Sequence, residues 1–202
     1  MPTRDDHPEI DDERGLPLRQ LRRPEHLKAL AHPRRMQLLD LLVSDGPLTA
    51  SQCAERLGDS AASCSYHLRQ LARFGFVVEA DGGEGRNRPW RWAPIGNHIV
   101  EGTSPAERAA AESLGAVLDA RNLDRIRGWA GRRTSDPWRE AADASDWTLR
   151  LTRQELADLT AAITALIVPL QRRTFDGVVP EDSRLVDVLT YLLPRPGTTP
   201  GA

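Results

Sequence analysis

The sequence predicts a mainly helical α+β chain: a three-helix block closed by a small hairpin, then one long amphipathic helix, then a small C-terminal α/β accessory domain. Three observations predict it. Leucines recur at helical spacing from Leu27 to Leu71, in short runs punctuated by Pro33, Gly46 and Gly58. Two apolar runs, Phe76–Val78 and Trp90–Trp92, flank a loop of glycines and charges. After Pro105 nearly thirty residues pass without another proline. With 202 residues, 40% of them hydrophobic, and a net charge of −2, the chain suits one or two globular domains that bury a core without disulfide staples. Two cysteines, Cys53 and Cys64, fit a reducing compartment. Nothing reaches the roughly 18 apolar residues of a membrane span, and the acidic N-terminus lacks the pattern of a secretory signal. A cytoplasmic location without a membrane partner is expected.

Residues 1–19 mix charges and prolines without apolar periodicity and read as a disordered acidic tail. From there to residue 95 the helices follow in order. PEHLKAL carries Leu27 and Leu30 in a short first helix. Pro33 opens a second, in which Met36, Leu39 and Leu42 repeat until Gly46 and Pro47 stop it. LTASQCAERLG turns Cys53, Ala54 and Leu57 inward and ends at Gly58. DSAASCSYHLRQLARFG follows after a tight turn, with Ser60 as N-cap. The hairpin comes last. Residues 96–133 form a linker and the long helix, whose Leu114, Val117, Leu118, Ile126, Trp129 and Ala130 lie close to one stripe. In 134–202, Trp147, Leu149 and Leu151 alternate as a strand, and Thr152 with Glu155 makes a capping box. The helix it opens buries Leu156, Leu159, Ile163, Leu166, Ile167 and Leu170, and Pro169 bends or ends it. RLVDVLTYLL reads as a last strand, with a short helix as the alternative.

The charge is not spread evenly. Residues 1–14 hold two basic and six acidic side chains, 15–95 hold twelve and eight, and 96–202 hold thirteen and fifteen. The basic surplus therefore sits in the three-helix block, where a polyanion would meet it. On a helical wheel, Cys64, His67, Leu68 and Leu71 share the inward face of the fourth short element, within about 60°. The opposite face presents Ala62, Tyr66, Arg69 and Arg73, flanked by Ser63, Ser65 and Gln70. It carries no aliphatic group larger than alanine. Such a face approaches a groove closely, and the helix N-terminus with its free amides favours phosphate. The hairpin adds Gly82, Gly83 and Gly85 for reach, and Arg86, Arg88 and Arg91 for charge. Asp81 and Glu84 partly offset it.

LKALAHPRRMQLLDLL, SYHLRQLARFGFV and the glycine-arginine loop, in that order and spacing, resemble the ArsR-type family of winged helix-turn-helix transcriptional regulators. The likeness covers roughly residues 20–95. It implies a homodimer that binds a near-palindromic double-stranded operator and represses until an effector releases it. It also implies that the helix carrying Ser60, Ala62, Ser63, Ser65, Tyr66 and Arg69 enters the major groove. Metal-sensing members use two cysteines one residue apart, whereas here Ala54 and Glu55 follow Cys53. Both cysteines read as small core residues. His26, His32, His67 and His98 lack ligand spacing, His32 being a helix-start residue and His67 a seam residue bonded to backbone. No metal or cofactor is expected.

Self-association is assigned to the long helix through Leu114, Leu118, Ile126 and Trp129, packing within the chain being the alternative. Trp147, Leu149, Ile163 and Tyr191 are the candidate lining of a small-molecule effector pocket, or simply the core of the accessory domain. No nucleophile elbow, phosphate loop, zinc-protease or dinucleotide motif is present, so an enzyme is not expected. A winged-helix adaptor that binds protein without DNA specificity is the competing function.

Overall fold

The computed structural model describes residues 9–11, 16–83, 87–93, 96–99, 103–131, 137–175 and 177–197. The chain divides into two compact units, Met1–Gly131 and Arg132–Ala202.

In the first unit, helices α1 (Pro24–Leu30), α2 (Pro33–Asp45), α3 (Ala50–Leu57) and α4 (Ala61–Arg73) occupy the places that their punctuation predicts. His32 caps α2, its Nδ1 accepting the Arg34 amide at 3.2 Å, ahead of Pro33 at the first helical position. Thr49 and Gln52 close a reciprocal capping box on α3, which ends at Gly58 in the left-handed region that glycine tolerates. Ser60 caps α4 by accepting the Ser63 amide at 3.1 Å. Leu27, Leu38, Leu42, Cys53, Cys64, Leu68, Leu71 and Val77 converge in one core. Both cysteines are fully buried there, and burial pushes the Cys53 thiol up to about 11, so it stays protonated and packs as a hydrophobe.

The hairpin forms as expected from strands β3 (Val77–Glu79) and β4 (Trp90–Trp92), antiparallel with Val77 opposite Trp92. β4 also bridges Leu48, which exchanges both backbone hydrogen bonds with Trp90 at 2.8 and 3.0 Å. That bridge ties the hairpin to the turn between α2 and α3. A second sheet departs from expectation. Strands β1 (Glu9–Asp11) and β2 (Leu16–Leu21) pair antiparallel, and β2 runs parallel to β5 (Gly96–Ile99). Part of the segment expected to be a disordered tail is thus recruited by a strand some eighty residues away.

Helix α5 (Pro105–Gly131) is continuous and opens with a capping box of Ser104 and Glu107. Its predicted stripe divides. Ala110 and Leu114 are buried against α1, and Val117 and Leu118 pack at the core's edge. Ile126 sits about 120° round the helix from Leu114 and is half exposed, as is Trp129. The inward line continues instead as Arg121 and Arg125, which clasp Asp40 of α2: Arg121 Nε at 2.8 Å on one oxygen, Arg125 Nη2 at 2.7 Å on the other. Leu114 and Leu118 belong to the chain's own core, and only Ile126 and Trp129 of the four interface candidates remain open.

The second unit holds α6 (Trp138–Ala141) and α7 (Arg153–Phe175). The Thr152–Glu155 capping box opens α7 as read, but Pro169 lies inside a helix that continues to Phe175. Neither expected strand is present among the described residues: 142–152 and 184–195 form no ladder. On α7, Leu156, Leu159, Ile163 and Ile167 are half-buried, whereas Leu166 and Leu170 are exposed rather than buried.

Candidate nucleic-acid interface

Helix α4 presents the two faces that its sequence requires. Cys64, Leu68 and Leu71 are inaccessible to solvent, while Ala62, Tyr66, Arg69 and Arg73 are exposed on the opposite side. Tyr66 is 52% exposed and stands edge-on to the His67 ring. Arg69 folds back along its own helix, Nε donating to the Ser65 carbonyl at 3.2 Å. Arg73 lies over Phe74, its guanidinium 5.6 Å from the ring centre. Ser60 and Ala62 are open, and Ser65 is half-buried.

Ser63 is engaged differently from expectation. It is half-buried, and its hydroxyl donates to Asp59 Oδ2 at 3.0 Å. Asp59 is the residue that sequence reasoning missed. Its Oδ1 accepts the Ser60 amide at 2.7 Å, and Oδ2 also meets Arg34 Nε of α2 at 2.9 Å. The Ser60 amide bond and the Ser63 hydroxyl hold its carboxyl below the ordinary value, with Arg34 adding to them. A negative charge at the head of a helix that approaches phosphate would repel it, and Arg34 neutralises that charge while anchoring the turn. The signal was present: an aspartate directly before an N-cap serine at a tight turn is placed to accept the free donors at the helix start.

Behind α4, the rings of His32 and His67 lie 4.6 Å apart. The expected backbone partner of His67 is not there: among the described residues no hydrogen-bond partner meets its Nδ1. Burial chiefly, then the neighbouring guanidiniums of Arg35 and Arg34, hold His32 below the ordinary imidazole value. Burial, then His32 and Arg35, do the same for His67, against the opposing pull of Asp59. Both rings take up protons less readily in the folded chain than in the unfolded one. Stability is therefore highest above about pH 6.5 and is lost as pH falls through the lowered values. The melting temperature is expected to drop between pH 7.5 and 5.5, and a His67→Gln chain should show a shallower drop over that window. Equal slopes for the two chains would refute it.

The hairpin carries its cations less freely. Arg88 Nη1, in the loop before β4, meets Glu79 Oε2 at the end of β3 at 2.8 Å, and both side chains are about half exposed. Such a surface pair contributes only about 0–1 kcal/mol, so a phosphate can displace the glutamate. Arg91 is exposed on β4, and Arg86 lies outside the described residues. Gly82 and Gly83 have positive φ, and a Cβ on Gly83 would stand 2.4 Å from the Asn87 carbonyl oxygen, so this turn requires glycine.

The four residues assigned to an effector pocket do not enclose one. Trp147, Leu149 and Tyr191 are 78%, 59% and 50% exposed, and only Ile163 is half-buried. The expectation needed two paired strands to bury one face, and those strands do not form. Among the described residues no group of three or more histidine, cysteine, aspartate or glutamate side chains could hold a metal ion, and no helix is long and apolar enough to cross a membrane.

A family model described as a helix-turn-helix domain matches residues 30–80, which run from the end of α1 through α4 and β3. No curated protein matches the chain. Among solved structures, a MarR family regulator from Neisseria meningitidis is similar at 13% identity, over 71% of this chain and 79% of that chain, with a TM-score of 0.32. The family match supports a helix-turn-helix domain; the ArsR-type likeness is a finer statement than it reaches.

Proposed function

We propose that this chain is a cytoplasmic, sequence-specific DNA-binding transcriptional regulator, a homodimeric repressor without catalytic activity. The carrying observation is the outer face of α4, where Ala62, Tyr66, Arg69 and Arg73 stand free of aliphatic bulk while the inner face is locked into the core. In this reading α4 enters the major groove. Ser60, Ala62, Ser65 and the helix N-terminus lie against the backbone, and Tyr66 and Arg69 reach base edges. Ser63 acts from behind through Asp59, fixing the turn. Arg86, Arg88 and Arg91 of the hairpin meet flanking phosphates or the minor groove. The exposed distal end of α5, with Ile126 and Trp129, supplies a surface for a second copy. Two copies would then set two recognition helices about 34 Å apart, one turn of the duplex.

Selection of bound sequences from random duplex DNA tests this reading. The expected result is a two-fold symmetric consensus whose half-sites are about one helical turn apart. An asymmetric consensus would remove the dimer, and enrichment of no sequence would favour the protein-binding adaptor.

A further inference from the structure

In the second unit, none of the residues between 137 and 197 whose burial is described is buried. Twelve of its large apolar side chains, among them Trp147, Leu166, Leu185, Val186 and Leu193, are between 41% and 78% exposed. Summed over the unit they expose on the order of 1,000–1,500 Å² of apolar side-chain surface, more than the roughly 800 Å² that one partner contributes to a standard interface. With so much apolar surface uncovered among its described residues, the unit has half a core.

Helix α7 indicates what completes it. Its open face reads Asp158, Ala162, Ala165, Leu166, Pro169, Leu170 and Arg173, at spacings of three and four residues, all of them exposed. The face is self-complementary in shape only when reversed. Laying a second α7 antiparallel, with the two-fold axis at Leu166, sets each Leu170 against the partner's Ala162, large against small. It is self-complementary in charge in the same arrangement. Asp158, at the acidic end of the face, comes within one residue of the position opposite the partner's Arg173, at its basic end. A parallel pairing would instead set like charges side by side. We infer that α7 pairs antiparallel with α7 of a second copy of this chain across a two-fold axis at Leu166, and that this contact completes the core of the C-terminal unit.

A residue on a two-fold axis meets itself, which gives the test. Cys53 and Cys64 are inaccessible, so a thiol introduced on α7 is the only exposed one among the described residues. Under mild oxidation, full-length Leu166→Cys should form a covalent dimer that reductant dissolves. Thr160→Cys, exposed on the same helix about 120° away, should remain single. In sedimentation, Leu166→Asp should raise the dimer dissociation constant about tenfold or more, since it puts two carboxylates together on the axis. Leu166 is 75% exposed, so neither variant disturbs folding. A wild-type chain that sediments as a monomer would overturn the inference. So would a dimer that Leu166→Asp leaves intact and Leu166→Cys does not link, whether α5 or another surface then holds it. The pairing rests on the homodimer proposed above but not on DNA binding: a selection that enriches no sequence leaves it standing, a monomeric wild-type chain removes both, and a dimer that Leu166→Cys does not link removes the α7 pairing alone.

Discussion

A Leu68→Ala chain should lose about 2–5 kcal/mol of stability, the range for truncating a buried leucine whose site cannot collapse. Leu68 is inaccessible to solvent and belongs to the core that α4 shares with α1, α2 and α3, so the truncation leaves a cavity inside that core. Against a total of about 5–15 kcal/mol for a typical protein, a mid-range loss of this kind removes about a third of the margin. Denaturant unfolding measures it directly. Tyr66, two residues earlier and on the opposite face of the same helix, is half exposed, and its replacement by alanine should cost about 0.5 kcal/mol or less. If the two substitutions cost the same, α4 does not divide into a core face and a free face.

That division is also what the sequence showed best. Helices α1 to α4 are bounded by residues whose effect is local: Pro33 presets the first turn of α2, Gly46 and Gly58 end α2 and α3 at positive φ, and Ser60 caps α4. Inward leucines at helical spacing then fix the faces without knowledge of distant contacts. What was illegible is what depends on distant partners. β2 exists because Leu18 to Leu21 pair with Gly96 to Ile99, and nothing within Leu16–Leu21, which contains Pro17 and Arg19, announces that. The apolar stripe of α5 ends at Leu118, because beyond it the inward face grips Asp40 with two arginines, a partner on another element that periodicity within α5 does not reveal. Trp147, Leu149 and Leu151 do alternate, but alternation makes a strand only when a neighbour supplies the ladder. The candidate interface was legible for the same reason as the core, since both are read from one helix. Asp59 and its ties to Ser63 and Arg34 required the fold, because Arg34 lies on another element.

Arg69→Ala should lower affinity for the selected operator about 10- to 100-fold, the loss of roughly 1–3 kcal/mol that a good bidentate base contact provides. The side chain is exposed, and its one described hydrogen bond runs to the carbonyl of Ser65 on its own helix, so its removal orphans no buried group. The unfolding transition should therefore stay within about 0.5 kcal/mol of wild type, which separates lost recognition from lost folding. The substitution should also relax the consensus at one position in each half-site, as expected when a base contact is deleted. Arg88→Ala gives the contrast. Its guanidinium is shared with Glu79 on the hairpin, so it can offer a phosphate charge but no base readout. Affinity should then fall by a similar factor for every sequence, and the slope of log affinity against log salt should decrease by about one. Titrations of both variants at several salt concentrations, against the operator and a scrambled duplex, distinguish the two roles. Should Arg69→Ala behave as Arg88→Ala is expected to, α4 would be holding the backbone, and sequence discrimination would have to come from Tyr66 or from the deformability of the duplex.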